Sequence, residues 1–164
     1  RAPPYRPWRR FFTYMTEIKF VPDEEKDEYE YAVSACLCGV YCRYDGKTKC
    51  VPEIKALYDS GKALLICPEV MGGMPTPRAP SEIIAQKVMS INGEDNTEYF
   101  VSGAKKALEL CQKYNVKKAI LKQNSPSCGC RQVYDGTFSG RLIDGMGVAA
   151  RLLSENGIEV SGEK

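Results

Sequence analysis

The sequence contains no histidine among its 164 residues, and this absence removes several familiar chemistries. Histidine is the commonest metal ligand and the usual general base near neutral pH, and it forms part of Ser-His and Cys-His catalytic pairs. Polar chemistry in this chain must therefore come from cysteine, carboxylate, hydroxyl, lysine or tyrosine side chains, or from a bound cofactor.

Long apolar runs are also missing from the sequence. No stretch approaches the ~18 apolar residues that a membrane helix needs. The basic N-terminal residues are not followed by the apolar segment of a secretory signal. We therefore predict a cytoplasmic protein that has no membrane partner. The formal net charge of +2 neither demands nor excludes an anionic partner.

Eight cysteines are a high number for this length, and they admit two interpretations. In a small secreted domain they would form disulfides, whereas in a cytosolic enzyme they more often bind metal or take part in chemistry. The chain is long for a scaffold that depends on disulfides, which favours reduced thiols. No CxxC pair occurs, so the usual pattern of a structural zinc site is absent.

The composition predicts an N-terminal extension over residues 1–28 and one domain over residues 29–164. The start of the extension interleaves four arginines with aromatic side chains. Such a pattern can bind single-stranded nucleic acid through charge and base stacking. An arm that packs on its own domain is the simpler interpretation.

Strand-like and helix-like segments alternate along the rest of the chain. We predict strands at residues 31–36, 63–67, 118–121 and 158–160, and helices at residues 52–60, 97–114 and 147–155. The segment 82–91 has extended character and ends at an Asn-Gly hairpin signal, and residues 123–146 are predicted to form a long loop. Alternating strands and helices predict βαβ units and a mostly parallel sheet, which makes the protein an α/β domain.

Three cysteines lie where ligands bind in such a sheet, outside the carboxyl ends of the strands. Cys36 ends the first predicted strand, Cys67 ends the second, and Cys128 lies in the loop after the third. These thiols are expected to meet in one crevice, either as metal ligands or as buried structural thiols. If three cysteines held a [4Fe-4S] cluster, one iron would be left open as a thiophilic Lewis acid.

Four segments of the sequence together resemble a known family. They are SACLCGVYCRYDG (34–46), CPEVMGGMPTPR (67–78), LKQNSPSCG (121–129) and YDGTFSG (134–140). In this order and spacing the chain is similar to the thiouracil desulfidase (TudS-like) family from about residue 33 to residue 160. The resemblance implies a three-layer, Rossmann-like α/β domain with a central sheet flanked by helices.

The resemblance also implies an enzyme that carries a [4Fe-4S] cluster. Such an enzyme replaces the sulfur of a free thiouracil or a thiouridine monophosphate with oxygen and releases sulfide. Carried over by position, Cys36, Cys67 and Cys128 would be the cluster ligands, and Glu69 and Ser125 would be the catalytic polar residues. Glu69 would deprotonate the attacking water, whereas Ser125 would donate to a ring carbonyl or orient the base.

The remaining cysteines are less clearly assigned. Cys38 and Cys130 depart from the family pattern, and each lies two residues from a proposed ligand, on the same face of an extended chain. Either thiol is therefore a competing ligand. We interpret Cys42 as non-ligating, and Cys50 and Cys111 as core thiols.

Five further residues are candidates for substrate binding, and each has a simpler structural interpretation. They are Arg43, Asp45, Arg78, Lys122 and Ser127. The basic side chains would bind a nucleotide phosphate, or else are solvated cations. Asp45 would bind a ribose or a base edge, or else form a turn with an ion pair. The Ser127 hydroxyl, like that of Ser125, would otherwise cap a loop.

Two other functions stay open at this point. The first is a desulfidase that acts on thiolated tRNA, which only the basic N-terminal arm favours. The second is a non-catalytic module that senses iron or stores sulfur. Among the free substrates we favour 4-thiouracil and 4-thiouridine monophosphate over 2-thiouracil, and the sequence leaves the oligomeric state open.

Overall fold

Four short parallel strands form the centre of the fold, which a computed structural model describes for residues 22–163 with the exception of residue 24. In chain order the strands are β1 (Tyr31–Ser34), β2 (Ala63–Ile66), β3 (Ser81–Ile84), β4 (Lys87–Ser90), β5 (Lys118–Leu121), β6 (Gln132–Tyr134), β7 (Leu142–Asp144) and β8 (Glu159–Gly162). The helices are α1 (Pro52–Asp59), α2 (Pro68–Met71), α3 (Thr97–Lys113) and α4 (Val148–Glu155). The central sheet has the order β2-β1-β5-β8, and its neighbouring strands pair in parallel.

Apolar side chains cover both faces of this sheet, as a parallel sheet requires. Because successive strand residues point to opposite faces, Ala32 packs in the core beneath α3 and α4, whereas its neighbour Val33 packs in the core beside α1. The result is a layer of helices on each side of the sheet. The predicted three-layer α/β domain with a mostly parallel sheet is confirmed.

The helices begin and end close to the predicted residues. Pro52 suits the first turn of α1 because its missing N–H would be unpaired there in any case. Before α3, the Asp95 carboxylate accepts the N–H of Thr97 at 3.0 Å. Asn96 holds the cap position, but its side chain makes no capping bond, so Asp95 supplies the predicted capping bond.

The first strand is two residues shorter than predicted. β1 ends at Ser34, and residues 35–38 form a single 3-10 turn that ends at Gly39, whose φ is +93°. The Cys36 carbonyl leaves the sheet and accepts the Thr48 hydroxyl at 2.8 Å and the Lys49 N–H at 2.9 Å. Cys36 therefore lies just beyond the strand, with its backbone fixed by the following loop.

Two antiparallel hairpins sit outside the central sheet. β3 and β4 are joined at Ala85 and Gln86, which both have positive φ, so the turn has type I′ character. Neither residue is typical of such a turn, and the Asn-Gly signal at residues 92–93 instead follows β4. The second hairpin, β6–β7, lies inside the predicted long loop.

Helix α2 approaches α3 at two glycines, Gly72 and Gly103. A Cβ at Gly103 would lie 1.7 Å from the Pro68 carbonyl oxygen, and a Cβ at Gly72 would lie 2.0 Å from that of Tyr99. These distances leave no room for a methyl group. The contact holds α2, which carries Glu69, against α3, the longest helix in the described part of the chain.

Replacing Gly103 by alanine is expected to destabilise the protein, although alanine favours a helix interior by about 1 kcal/mol over glycine. Because the new methyl group would overlap the Pro68 carbonyl, we expect a loss of at least about 2 kcal/mol in the free energy of unfolding. Chemical denaturation measures this loss. The neighbouring Ser102→Ala change is the control and should lie within about 0.5 kcal/mol of wild type; equal stability of the two variants would contradict the proposed contact.

Most of the predicted N-terminal extension lies outside the described residues. Of residues 1–28, the structure describes residues 22, 23 and 25–28. The arginine-rich and aromatic segment, residues 1–14, therefore has no structural account, and the boundary between residues 28 and 29 stays a prediction. Within the described part of the chain, no helix has the length and apolar character needed to cross a membrane.

Candidate functional site

A cavity of about 360 Å³ opens at the carboxyl edge of the central sheet. Cys36, Cys67 and Cys128 all line it. They follow β1, β2 and β5, so they come from three neighbouring regions of the sheet edge. The structure therefore brings together the three thiols that the sequence places after separate strands.

The donor set fits a cluster better than a single ion. Sulfur ligands of one zinc ion lie about 3.8 Å apart, given Zn–S bonds of about 2.3 Å. Among the described residues, no group of three or more cysteine, aspartate or glutamate side chains converges closely enough to hold one metal ion. Soft thiols that line a cavity of this size suit an iron–sulfur cluster, in which each cysteine sulfur binds a different iron.

A fourth thiol, Cys42, also lines the cavity, where it hydrogen-bonds with Cys36 and Cys67. These bonds, together with burial, raise the pKa of Cys42 well above its ordinary value. The bond from Cys42 and the nearby positive charge of Arg78 lower the pKa of Cys67 despite its burial. The lowered pKa makes Cys67 easier to deprotonate than an ordinary thiol, and the thiolate is the form that binds metal.

Neither Cys38 nor Cys130, the two competing ligands, lines the cavity. The Cys38 thiol faces the carbonyl oxygen of Ile54 in α1 at 3.9 Å, and burial raises its pKa to about 12. Cys130 packs against the core beneath α3 and α4. We therefore retain Cys36, Cys67 and Cys128 as the proposed ligands.

The two predicted core thiols have different outcomes. Cys111 is fully buried in the core, and burial raises its pKa to about 12, so this prediction is confirmed. The prediction for Cys50 is wrong, because Cys50 is exposed. Val51 packs on the core, and successive residues of an extended chain face opposite sides, so its neighbour Cys50 points outward.

Glu69 lies in the cavity wall within α2, two residues after Cys67. Arg78 binds it through an Nε–H bond of 3.0 Å to Oε1. The same guanidinium donates to the carbonyl of Cys42 at 3.0 Å, and to the carbonyl of Pro75 and the hydroxyl of Thr76 at 3.1 Å. Arg78 is therefore engaged as a clamp on Glu69 and its loop, although it also lines the cavity.

Ser125 lines the cavity and shapes the loop that carries Cys128. Its hydroxyl oxygen accepts the N–H groups of Ser127 and Cys128, both at 3.1 Å. The Ser125 hydroxyl therefore caps this loop, as the simpler of its two interpretations predicts. Because both bonds use oxygen lone pairs, the hydroxyl hydrogen is available to a molecule in the cavity.

Of the other substrate-binding candidates, Lys122 and Arg43 line the cavity, whereas Asp45 and Ser127 have other roles. Lys122 lies 3.5 Å from the buried carboxylate of Glu163. Asp45 pairs with Arg43 at 3.1 Å and accepts the Lys47 N–H at 3.0 Å, so it stabilises a turn.

Ser127 is fully buried, and its hydroxyl has no hydrogen-bond partner within the described residues. Its carbonyl accepts the N–H groups of Ala149 and Ala150 at the start of α4, at 2.9 and 3.0 Å. The structure therefore places Ser127 in the support of the Cys128 loop rather than in the cavity wall.

Several residues of the cavity wall were not singled out from the sequence. Four of them are large apolar or aromatic side chains: Tyr44, Ile91, Tyr134 and Phe138. Glu82, a buried carboxylate on β3, also lines the cavity. Tyr44, Tyr134 and Phe138 lie within the family motifs, which was a usable signal. Glu82 has no local signal, because its position depends on the β3–β4 hairpin, whose turn the sequence pattern does not show.

The fold and the site define a class of protein. It is an α/β domain whose parallel strands direct three thiols into one cavity, beside a carboxylate and under an apolar, aromatic wall. This arrangement suits a thiolate-bound metal cluster that faces a flat, partly apolar ligand.

Comparison with known proteins narrows this class. A model of the 2-thiouracil desulfurase family matches residues 32–164. The uncharacterized protein YbbK of Bacillus subtilis (strain 168) is 44% identical over 141 residues, which cover 80% of this chain and 93% of that protein. A solved structure of the [4Fe-4S]-dependent thiouracil desulfidase TudS is 43% identical, with a TM-score of 0.79, and the match covers 83% of this chain and 91% of that one. The chain belongs to the 2-thiouracil desulfurase family, and the predicted resemblance is confirmed.

Proposed function

We propose that this protein is a [4Fe-4S]-dependent desulfidase that converts a thiolated pyrimidine to its oxo form and releases sulfide. The observation that carries the proposal is the convergence of Cys36, Cys67 and Cys128 on one cavity whose wall also holds Glu69. The resemblance to TudS, which is described as a [4Fe-4S]-dependent thiouracil desulfidase, supports the same conclusion.

The reaction needs one water molecule and no net oxidation or reduction. When bound by the three thiolates, the cluster would supply a thiophilic Lewis acid for the substrate sulfur. Glu69 takes a proton from a water molecule, whose oxygen adds to the thiocarbonyl carbon. The hydroxyl proton of this adduct passes to the sulfur, the carbon–sulfur bond breaks, and the sulfur leaves as hydrosulfide while the carbon becomes a carbonyl. Glu69 then returns its proton to solvent.

The other cavity residues hold the reacting groups in place. Ser125 donates its hydroxyl hydrogen to a ring carbonyl, while its oxygen keeps the Cys128 loop fixed. Arg78 acts on the reaction through Glu69, whose carboxylate it orients toward the cavity. Tyr44, Tyr134 and Phe138 limit the access of bulk water, which strengthens polar interactions inside the cavity.

Replacing Arg78 by methionine is expected to lower both stability and turnover. The Arg78 side chain is 4% exposed and the Glu69 side chain 16%, so the change leaves a largely buried carboxylate without its cation. We expect a loss of about 2–3 kcal/mol in unfolding free energy, together with a lower kcat. Denaturation and steady-state kinetics measure the two effects.

The control for this change is Arg78→Lys, which keeps the charge but cannot reproduce the four-point geometry of the guanidinium. Arg78→Lys should recover part of the stability lost in the methionine variant and a smaller part of the lost turnover. A methionine variant with wild-type stability and turnover would rule out the clamp.

For the substrate we propose the free base or the nucleoside monophosphate, with sulfur at position 4. Arg43 and Lys122 lie in the cavity wall, where they would attract a phosphate group. A desulfidase of thiolated tRNA is the alternative that depends on residues 1–28, most of which lie outside the described residues. We also propose that the protein acts in the cytoplasm, where cysteine thiols stay reduced.

Anaerobically reconstituted protein tests the proposed function through sulfide release from 2-thiouracil, 4-thiouracil and 4-thiouridine monophosphate. Catalytic release from any of them supports the desulfidase, and the ranking of kcat/KM identifies the substrate. Iron-loaded protein that releases no sulfide from the three compounds, and none from 4-thiolated tRNA, would leave the non-catalytic sensing module as the better account. Removal of residues 1–28 should abolish turnover only if tRNA is the substrate.

A further inference from the structure

The loop of the β6–β7 hairpin, residues 135–140, presents an aromatic side chain to the cavity in a strained backbone conformation. Phe138 lines the cavity and has a φ of +56°. A bulky residue adopts this left-handed conformation at a cost, and it persists only where the surroundings enforce it. The strained backbone therefore indicates that the position of the Phe138 side chain matters for function.

Hydrogen bonds within the loop help to enforce this conformation. Asp135 Oδ1 accepts the Thr137 N–H at 2.9 Å and its hydroxyl at 2.6 Å, and the Thr137 and Ser139 hydroxyls are 2.6 Å apart. The Asp135 N–H donates to the Arg141 carbonyl at 2.9 Å, which closes the loop. The tip is thus rigid in its own right.

A second set of bonds fixes the loop to the rest of the protein. The buried carboxylate of Glu82 accepts the N–H of Gly136 at 2.9 Å and that of Phe138 at 3.2 Å through the same oxygen. Gly136 packs so closely on β3 that a Cβ there would lie 2.9 Å from the Ile83 carbonyl oxygen. Glu82 therefore joins the two hairpins in the wall of the cavity.

We propose that Phe138 is the residue on which the ring of the substrate stacks, and that Glu82 is the positioning residue that holds Phe138 there. The proposal rests on the proposed function and names a determinant of its substrate class. An aromatic side chain in the cavity wall favours a planar heteroaromatic thiocarbonyl compound over an acyclic one, because only a ring with a π-face can stack on it.

Burying a carboxylate has a cost that its bonding partners must offset. Glu82 places its charge against two main-chain N–H groups, one of them that of Phe138 itself. An apolar residue at position 82 would leave those N–H groups unpaired and the loop unanchored. Glutamine keeps an acceptor oxygen at the same place, so it should preserve the loop.

Substitutions of Phe138 test the stacking role by anaerobic calorimetry of the cluster-loaded protein with 2-thiouracil and with acyclic thiourea. Stacking of a base on an aromatic side chain contributes about 1–3 kcal/mol, which corresponds to a factor of about 5–150. We expect Phe138→Leu, which keeps the apolar bulk, to weaken 2-thiouracil binding by such a factor and to leave thiourea binding unchanged. Phe138→Tyr should restore 2-thiouracil binding. Tyr99→Leu, at an exposed aromatic outside the cavity lining, should change neither affinity.

A double-mutant cycle tests Glu82. If Glu82 acts only by positioning Phe138, Glu82→Ala weakens 2-thiouracil binding in the wild-type background and has no further effect in the Phe138→Leu background. Glu82→Gln should stay close to wild type. If Glu82→Ala lowered the affinity for 2-thiouracil equally in both backgrounds, the positioning role would be overturned. A Phe138→Leu variant that binds 2-thiouracil as tightly as wild type would overturn the stacking role.

The two proposals fail in different ways. Loaded protein that binds 2-thiouracil through Phe138 but releases no sulfide from any of the three thiopyrimidines or from 4-thiolated tRNA contradicts the desulfidase but supports the stacking site. Loaded protein that releases sulfide equally well with leucine at position 138 supports the desulfidase and overturns the stacking site. Loaded protein that neither binds the ring nor releases sulfide overturns both.

Discussion

Replacing Cys128 by alanine is expected to abolish both cluster binding and sulfide release. Cys128 lines the cavity with Cys36 and Cys67, and three thiolates are already one fewer than the four cysteines that usually hold such a cluster. Removing one of the three thiols leaves too few ligands to retain the cluster, so iron content and turnover should both fall to background. Iron analysis, visible absorbance and sulfide assays after anaerobic reconstitution measure the loss. Cys36→Ala and Cys67→Ala should give the same result.

Cys130→Ala is the matched control, because it removes a thiol two residues away that packs on the core. Cys38→Ala provides a second control on the other side of the cavity, since the Cys38 thiol faces Ile54. Both variants should keep their iron and most of their turnover. Loss of the cluster in either control, or its retention in Cys128→Ala, would show that the ligand set is different.

Replacing Glu69 by glutamine is expected to lower kcat by about 10²–10⁴, the range in which general acid–base groups contribute. The amide keeps the size of the side chain but cannot accept a proton from water. Because Glu69 is not one of the thiol ligands, iron content should stay at the wild-type value, and KM should change little. Steady-state kinetics on protein of known iron content separate these quantities.

Glu53→Gln is the control, because Glu53 is an exposed carboxylate in the first turn of α1. Its kcat should match wild type. Full turnover of Glu69→Gln with an intact cluster would exclude Glu69 as the base and direct attention to other groups of the cavity wall, such as Glu82.

The central fold could be predicted from the sequence because its signals are local. The strands are short segments rich in apolar residues, of which β2 lies between Gly61 and Pro68, and α3 combines helical periodicity with a capping carboxylate. Parallel pairing then follows from the alternation of strands and helices. The convergence of Cys36, Cys67 and Cys128 is a consequence of that topology, so it was also accessible.

The details that the sequence did not reveal depend on contacts between distant segments. The β3–β4 turn uses Ala85 and Gln86 in a conformation that neither favours, so composition gave no signal for it. Glu82 reaches the β6–β7 loop from more than fifty positions away. Cys42 lies in a recognisable motif, but its bonds to Cys36 and Cys67 follow from the 3-10 turn and the loop after it, which the pattern did not show.

The three strand-end thiols also set an order of events during synthesis. Cys36 leaves the ribosome 92 positions before Cys128, which at about 5–20 residues per second is a delay of about 5–18 s. During that time Cys36 and Cys67 are present without their third partner, and β5, which lies next to β1 in the sheet, has not yet been made. If these three thiols are the cluster ligands, as we propose, the ligand set is complete only after translation passes residue 128, and a chain that ends earlier lacks one of the three.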